Sequence, residues 1–268
     1  MKAIEAYDLS FEYSRNNPVL KNLSFSIEEG SITAILGRNG CGKTTLLDCL
    51  IGFNKPTEGK LTVFDKEITE FSPREFAERI SYVPQSTEIN MDYKVSEFIL
   101  FGRTCHLKFG ESPGKKDDEL MRESAKRFNL THLLDKDVNK VSGGERQLCY
   151  LARAVCQESR IIIMDEPASA LDFGNQAKFL RLIKSLKDEG KTIVFTTHNP
   201  NHVMELGCDV LMMKDGSISF AGNSKDVMTE ENISSLYGED VRLSSDGTHF
   251  TINLEFPEYD HFTLGGTK

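Results

Sequence analysis

"ITAILGRNGCGKTTLLDCL", residues 32–50, decides the fold. Ile32–Leu36 is a near-unbroken apolar run of strand length, the pattern of a strand buried on both faces. Glycine-rich Gly37–Thr44 follows, and Thr45–Ile51 then takes up helical spacing until Gly52 stops it. Gly37, Gly42, Lys43 and Thr44 satisfy GxxxxGK[ST] between a strand and a helix, the context this motif requires. Glycines let successive backbone N–H groups turn inward, and the helix N-terminus adds its positive end, so the turn is built for an anion. A lysine at this position pairs with β- and γ-phosphates, and the hydroxyl after it can ligate Mg²⁺. The expected nucleotide-binding residues are Gly37, Arg38, Asn39, Gly40, Cys41, Gly42, Lys43, Thr44 and Thr45.

On either side of this stretch, strand-like runs alternate with turns and helices. Ile4–Tyr13, Val19–Ile27, Lys60–Phe64, "RISYVPQ" (79–85), "RIIIMDE" (160–166) and "KTIVFTTH" (191–198) read as strands, and 173–188 as a helix. Such alternation implies a parallel sheet and an α/β fold. Residues 92–137 carry helical periodicity broken by a polar loop, 110–118, in which Lys115-Lys116-Asp117-Asp118 read as solvated. The helical block between about 90 and 157 reads as an inserted subdomain of a domain covering 1–240. The tail "VRLSSDGTHFTINLEF" (241–256) places Asp246-Gly247 between strands, with Phe250, Ile252, Leu254 and Phe256 on one face. It reads as a hairpin in a 241–268 extension, a flap that finishes the sheet.

With 268 residues, 39% of them hydrophobic, the chain can build one large domain with a subdomain. A net charge of −9 weighs against a general nucleic-acid surface, so any phosphate must be held by local devices. Met1–Asp8 has no signal-peptide pattern, and no apolar run approaches the ~18–20 residues that a membrane-spanning helix needs. Cys41, Cys49, Cys105, Cys149, Cys156 and Cys208 show no paired spacing and read as reduced thiols of a soluble intracellular protein.

Asp165-Glu166 closes the apolar run Ile161–Met164, so two carboxylates lie where open α/β sheets bind ligands. Asp165 can hold the hydration shell of Mg²⁺, and Glu166 is placed to polarise a water. A second glycine turn sits in "VSGGERQLCYLARAV" (141–155). Ser142 and Glu145 form a capping box, and Leu148, Leu151, Ala152 and Val155 make a stripe at helical spacing. A capped core helix explains all of this except Gly143-Gly144, which cost helix stability unless bare backbone must approach something.

"VSGGE" resembles the signature sequence of ATP-binding cassette ATPases, normally LSGGQ or LSGGE, and the family's other motifs follow in order over about residues 2–238. Tyr13 matches the aromatic residue that stacks on adenine, Gly37–Thr44 the Walker A loop and Gln85 the Q-loop glutamine. Ile161–Asp165 matches Walker B, Glu166 the catalytic glutamate, "SALD" (169–172) the D-loop with Asp172, and His198 the switch histidine. The resemblance implies a P-loop NTPase core with a mostly parallel sheet, an N-terminal antiparallel β subdomain and an inserted α-helical subdomain. It also implies ATP and Mg²⁺, with Thr44, Gln85 and Asp165 toward the ion and Glu166, His198 and Gln85 in catalysis. In such a family two chains pair head to tail, so Ser142, Gly143, Gly144 and Glu145 face the partner's ATP in a homodimer. Val141, Cys41 and Ala168 depart from the usual residues without removing a charged group, and Cys41 is a candidate for thiol sensitivity. His106, His132 and His202 match no motif and read as surface or packing residues.

"VSEFILFGR" (95–103), "LDFGNQ" (171–176) and "TTHNPNH" (196–202) resemble ATPases that drive uptake of iron–siderophore, haem, cobalamin, related metal chelates or molybdate. The implied setting is a cytoplasmic chain on the inner face of the cell membrane. Its partners there are transmembrane permease subunits and, indirectly, a substrate-binding protein. The alternatives are the ATPase subunit of an exporter and a soluble cassette ATPase such as an iron–sulfur assembly factor.

Overall fold

A computed structural model describes residues 1–15, 17–85, 92–169, 171–238, 241–245 and 250–254. The chain opens with strands β1 (Lys2–Glu12), β2 (Pro18–Glu28) and β3 (Ile32–Gly37), then helix α1 (Lys43–Leu50) and strands β4 (Glu58–Val63) and β5 (Lys66–Glu67). Helix α2 (Pro73–Arg79) leads into strand β6 (Ile80–Val83). The helical segment comprises α3 (Val95–Leu100), a 3-10 turn (Phe101–His106), α4 (Lys115–Arg127) and α5 (Gly143–Cys156). Next come β7 (Ile161–Met164), α6 (Phe173–Asp188), β8 (Thr192–Thr197), α7 (Pro200–Leu206), β9 (Asp209–Lys214) and β10 (Ser217–Asn223). The chain finishes with α8 (Ser224–Val227), α9 (Glu230–Tyr237), β11 (Val241–Ser245) and β12 (Phe250–Leu254).

Six strands form the main sheet in the order β10-β9-β3-β8-β7-β6, and every pairing except β9–β10 is parallel. β3 is paired on both sides, which is why it is apolar throughout. Its side chains alternate between two cores as the pleat dictates. Ile32, Ala34 and Leu36 join Ile162, Met164, Ile193, Phe195, Val210 and Met212 on one face. Ile35 joins Ile161, Ile163, Val194, Leu211 and Met213 on the other.

The second face is closed by α1, through Leu46, Leu47 and Leu50, and by an antiparallel sheet ordered β2-β1-β4-β5. The first face is covered by α6, α7 and the helical segment, through Phe179, Ile183, Val203, Phe98 and Leu151. Each such aliphatic or aromatic side chain contributes about 1.5–3 kcal/mol when fully buried, so the two cores set the layers. The P-loop turn emerges between them, at the carboxyl end of the central strand.

Two expectations need correcting. Lys115–Asp118 is the first turn of α4, not a solvated loop. Asp117 accepts the Gly114 N–H at 2.9 Å, and carboxylates in a first turn favour the helix dipole. The helix is so polar that its charged start resembles a loop in sequence. The terminal hairpin forms as β11–β12 but does not finish the main sheet; it makes a separate two-stranded sheet packed on α7. Val241 and Ile252 are its buried contacts, while the turn at 246–249 and Phe256 lie outside the described residues.

Within the helical segment, the buried Arg103 guanidinium bonds Asp117 Oδ1 (2.9 Å), Glu158 Oε2 (2.8 Å) and the Cys156 carbonyl (2.9 Å). The Gly114 N–H, and after it Arg103, hold the Asp117 carboxyl below the usual carboxylate range. A group lowered in this way stabilises the fold above the ordinary carboxylate range. Its contribution fades as pH falls through its folded value. Arg103→Met should therefore lower stability at neutral pH by roughly 2–4 kcal/mol, because buried charge-assisted bonds are lost. The deficit should shrink in acid. Urea melts of both proteins at pH 7 and pH 3.5 check this, and equal midpoints at pH 7 would refute it.

Candidate functional site

Gly37 ends β3 where backbone and side chain crowd together: a Cβ there would lie 2.5 Å from the Met213 carbonyl oxygen and 2.6 Å from Cys41 Sγ. Gly42 precedes α1 at φ +105°, a conformation open to glycine. These constraints fold the turn so that the Lys43 ammonium, 5% exposed, sits inside it. Lys43 Nζ donates to the carbonyls of Gly37 (2.9 Å) and Arg38 (3.2 Å) and faces Glu166 Oε1 at 3.5 Å.

Thr44, one residue on, donates its hydroxyl to Asp165 Oδ2 at 2.9 Å. The other oxygen of Asp165 accepts from Thr196 Oγ1 at 2.5 Å, and the same hydroxyl oxygen receives the Glu166 N–H at 2.7 Å. Glu166 adopts φ +41°, a left-handed backbone that an L-residue holds only when its surroundings enforce it. Its Oε2 lies 3.1 Å from His198 Nδ1 and 3.5 Å from Gln85 Nε2. Carboxylate, lysine, histidine and glutamine thus converge from the carboxyl ends of β7, β3, β8 and β6, the rim where parallel sheets bind ligands. A cavity of about 110 Å³ opens there, lined by Glu166, His198, Ala168, Gln176 and His202 among others.

Tyr13 stands just past β1 and is 63% exposed, so it is not a sheet tyrosine. Its hydroxyl lies 3.4 Å from Thr45 Oγ1 and accepts from Asn54 Nδ2 at 3.4 Å, while Phe11 packs edge-on with ring centroids 4.9 Å apart. Cys41 is buried, and burial pushes its thiol up, which opposes thiolate reactivity; it fills the small space beside Gly37. His202 is also buried, with Thr197 and Asn199 at its ring nitrogens, and burial pushes its pKa down. His106 Nε2 lies 2.8 Å from the Gln157 carbonyl oxygen, a packing contact.

The signature turn stands elsewhere on the surface. Ser142 caps α5, and with Glu145 it forms the reciprocal box expected from the sequence: Ser142 N–H to Glu145 Oε2 at 2.8 Å, Glu145 N–H to Ser142 Oγ at 3.3 Å. That first bond lowers the Glu145 pKa. A Cβ on Gly143 would meet nothing within 4 Å. The chain's own packing therefore does not require glycine there. Asp172 caps α6 by accepting the Asn175 N–H at 2.8 Å.

Sequence reading missed Thr196, Asn54 and Tyr237, whose hydroxyl donates to the His198 carbonyl at 2.7 Å. A polar side chain at the end of an otherwise apolar strand was the available signal for Thr196. The other two come together only through the fold.

The residues fit a magnesium nucleotide. The turn carries Gly40 and Gly42 at φ +80° and +105°, so it presents bare backbone, and Lys43 is held inside it by main-chain carbonyls. The adjoining hydroxyl and carboxylate, Thr44 and Asp165, are hard oxygen donors. Among the described residues no cluster of three or more His, Cys, Asp or Glu could hold a metal ion by itself. A hydroxyl and one carboxylate suit an ion that takes its remaining ligands from phosphate and water.

Residues 20–169 match the protein-family model described as "ABC transporter". The chain is 35% identical over 237 residues to the molybdate import ATP-binding protein MolC of Haemophilus influenzae, covering 88% of each. It is 38% identical over 236 residues to the Helicobacter pylori protein named "Probable iron chelatin transport ATP-binding protein", covering 87% of this chain and 92% of that one. Among solved structures, a metal-chelate type ABC transporter in an inward-facing conformation superposes with a TM-score of 0.82 at 32% identity, over 95% of this chain and 98% of that one. Turn, carboxylate rim and sequence likeness agree over nearly the whole length: the chain belongs to the ABC transporter family and is one of its ATPases.

Proposed function

We propose that the chain is the ATPase subunit of an importer for a metal chelate or molybdate, working beneath separate transmembrane permease subunits on the cytoplasmic side. The likeness over 95% of the chain to a metal-chelate type transporter carries this reading. The named relatives point the same way, toward molybdate, iron chelatin and manganese. Residues 1–240 serve as the ATPase domain, with its helical subdomain at about 90–157, and 241–268 as an extension. Purification of the tagged chain from solubilised membranes tests the importer reading. The co-purifying subunits should include a permease, and the ATPase activity of the complex should rise with a substrate-binding protein loaded with the metal compound.

The geometry of the rim supports the following roles. Lys43 exchanges its carbonyl and Glu166 contacts for the β- and γ-phosphates, which frees Glu166 to take a proton from water. His198, 3.1 Å from Glu166, contacts the γ-phosphate and orients that carboxylate. Thr44, Asp165 and Gln85 would hold Mg²⁺, which neutralises charge on the phosphates when bound. Tyr13 offers its ring to adenine.

Lys43→Ala should weaken ATP binding by roughly 30–100-fold, the value of a buried charge-assisted phosphate contact. Glu166→Gln should bind ATP as wild type does yet hydrolyse it about 10²–10⁴-fold more slowly, the usual contribution of a general base. Calorimetric titration and a phosphate-release assay separate the two, and near-normal turnover by Glu166→Gln would overturn its role.

The exposed Gly143 turn and the positive end of α5 cover the partner's triphosphate in a head-to-tail dimer. Glu166→Gln should therefore accumulate as a dimer in ATP, seen by light scattering. Adding Gly143→Asp should abolish that dimer while each monomer still binds ATP. A double variant that dimerises as well as Glu166→Gln shows that the turn does not act in trans.

A further inference from the structure

We infer that Tyr237 is a positioning residue for His198, acting through the main chain of the loop that carries it. The inference rests on the reading of His198 as the γ-phosphate contact given above. His198 is the first residue beyond β8, and its side chain is half-exposed, so its ring has little packing of its own to fix it against Glu166. What fixes it is the backbone. The Tyr237 hydroxyl donates to the His198 carbonyl at 2.7 Å, the usual length of a well-formed O–H···O bond. Burial, with the Cys41 thiol and the Glu166 carboxylate adding to it, pushes the Tyr237 phenol up, so the hydroxyl stays a donor throughout the working pH range.

A second anchor lies three residues further on. Asn201 accepts the Ile252 N–H at 2.8 Å and donates to the Ile252 carbonyl at 3.3 Å, so one side chain occupies both polar groups of a β12 residue. The terminal elements that supply these anchors are themselves joined. The Leu243 N–H donates to Glu230 Oε1 at 2.7 Å, and the Val241 N–H to Ser234 Oγ at 3.3 Å, tying β11 to α9. Lys214 Nζ, beside the P-loop turn, bonds the Ser235 carbonyl at 2.7 Å and fixes α9 to the sheet. The segment 198–201, which runs from the end of β8 into the first turn of α7, is therefore held at both ends by the C-terminal segment, and the histidine is aimed from outside the rim.

Tyr237→Phe keeps the ring and removes only the hydroxyl. In the full chain it should lower kcat roughly three- to tenfold, about what one neutral hydrogen bond carries, with KM for ATP unchanged. Combined with His198→Ala it should add nothing, because the hydroxyl acts only through that side chain. Normal kcat in Tyr237→Phe, a rise in KM that accounts for the loss, or multiplying defects in the double variant each overturn the inference while leaving the role of His198 intact. Wild-type turnover in His198→Ala overturns both. Asn201→Ala, which removes the other anchor and leaves the phenol in place, should also lower kcat and be silent in the His198→Ala background. Normal kcat in Asn201→Ala overturns the reading that the C-terminal segment aims His198.

Discussion

The Asp165 carboxylate, 2% exposed, is the constraint on which the site depends. A buried charge of this kind is tolerated only when its oxygens are satisfied, and here each oxygen takes one hydroxyl. One hydroxyl belongs to the first turn of α1 and the other to the end of β8. Asp165 also extends the pairing of β7 with β6, through its N–H to the Val83 carbonyl at 2.9 Å. Four elements are therefore fixed relative to one another by a single residue. The groups they carry, Lys43, Glu166, His198 and Gln85, inherit that alignment.

The position of this carboxylate is itself a result of the core. Every residue from Ile161 to Met164 is buried, alternately toward the helical face and the antiparallel-sheet face. No interior position on β7 can take a charge without opening one of the two cores. The first residues able to do chemistry are those that leave the sheet, and this confines the acid pair to the rim. The same argument applies to β8, whose six residues are all buried before His198 emerges.

Much of this was legible in the sequence because it depends on local order. A glycine turn between strand and helix, an acid pair after an apolar run and a capping box each announce themselves within a few residues. Helix 173–188 was readable to its ends because Asp172 supplies a cap and its apolar residues keep helical spacing. What stayed hidden depends on contacts between distant residues. Thr196 matters only because β8 lies beside β7, and Asn201 only because β12 comes to rest on its helix. The start of α4 was misread for the opposite reason. Its residues are so polar that they resemble a loop, and it is the buried Arg103, distant in sequence, that gives Asp117 a structural use.

The left-handed backbone at Glu166 has a wider meaning. Glycine would occupy φ +41° with little strain, so the chain would be easier to fold with the side chain deleted. The chain holds this carboxylate on a backbone that local conformational preference opposes, and Thr196, Lys43 and His198 are the contacts that keep it there.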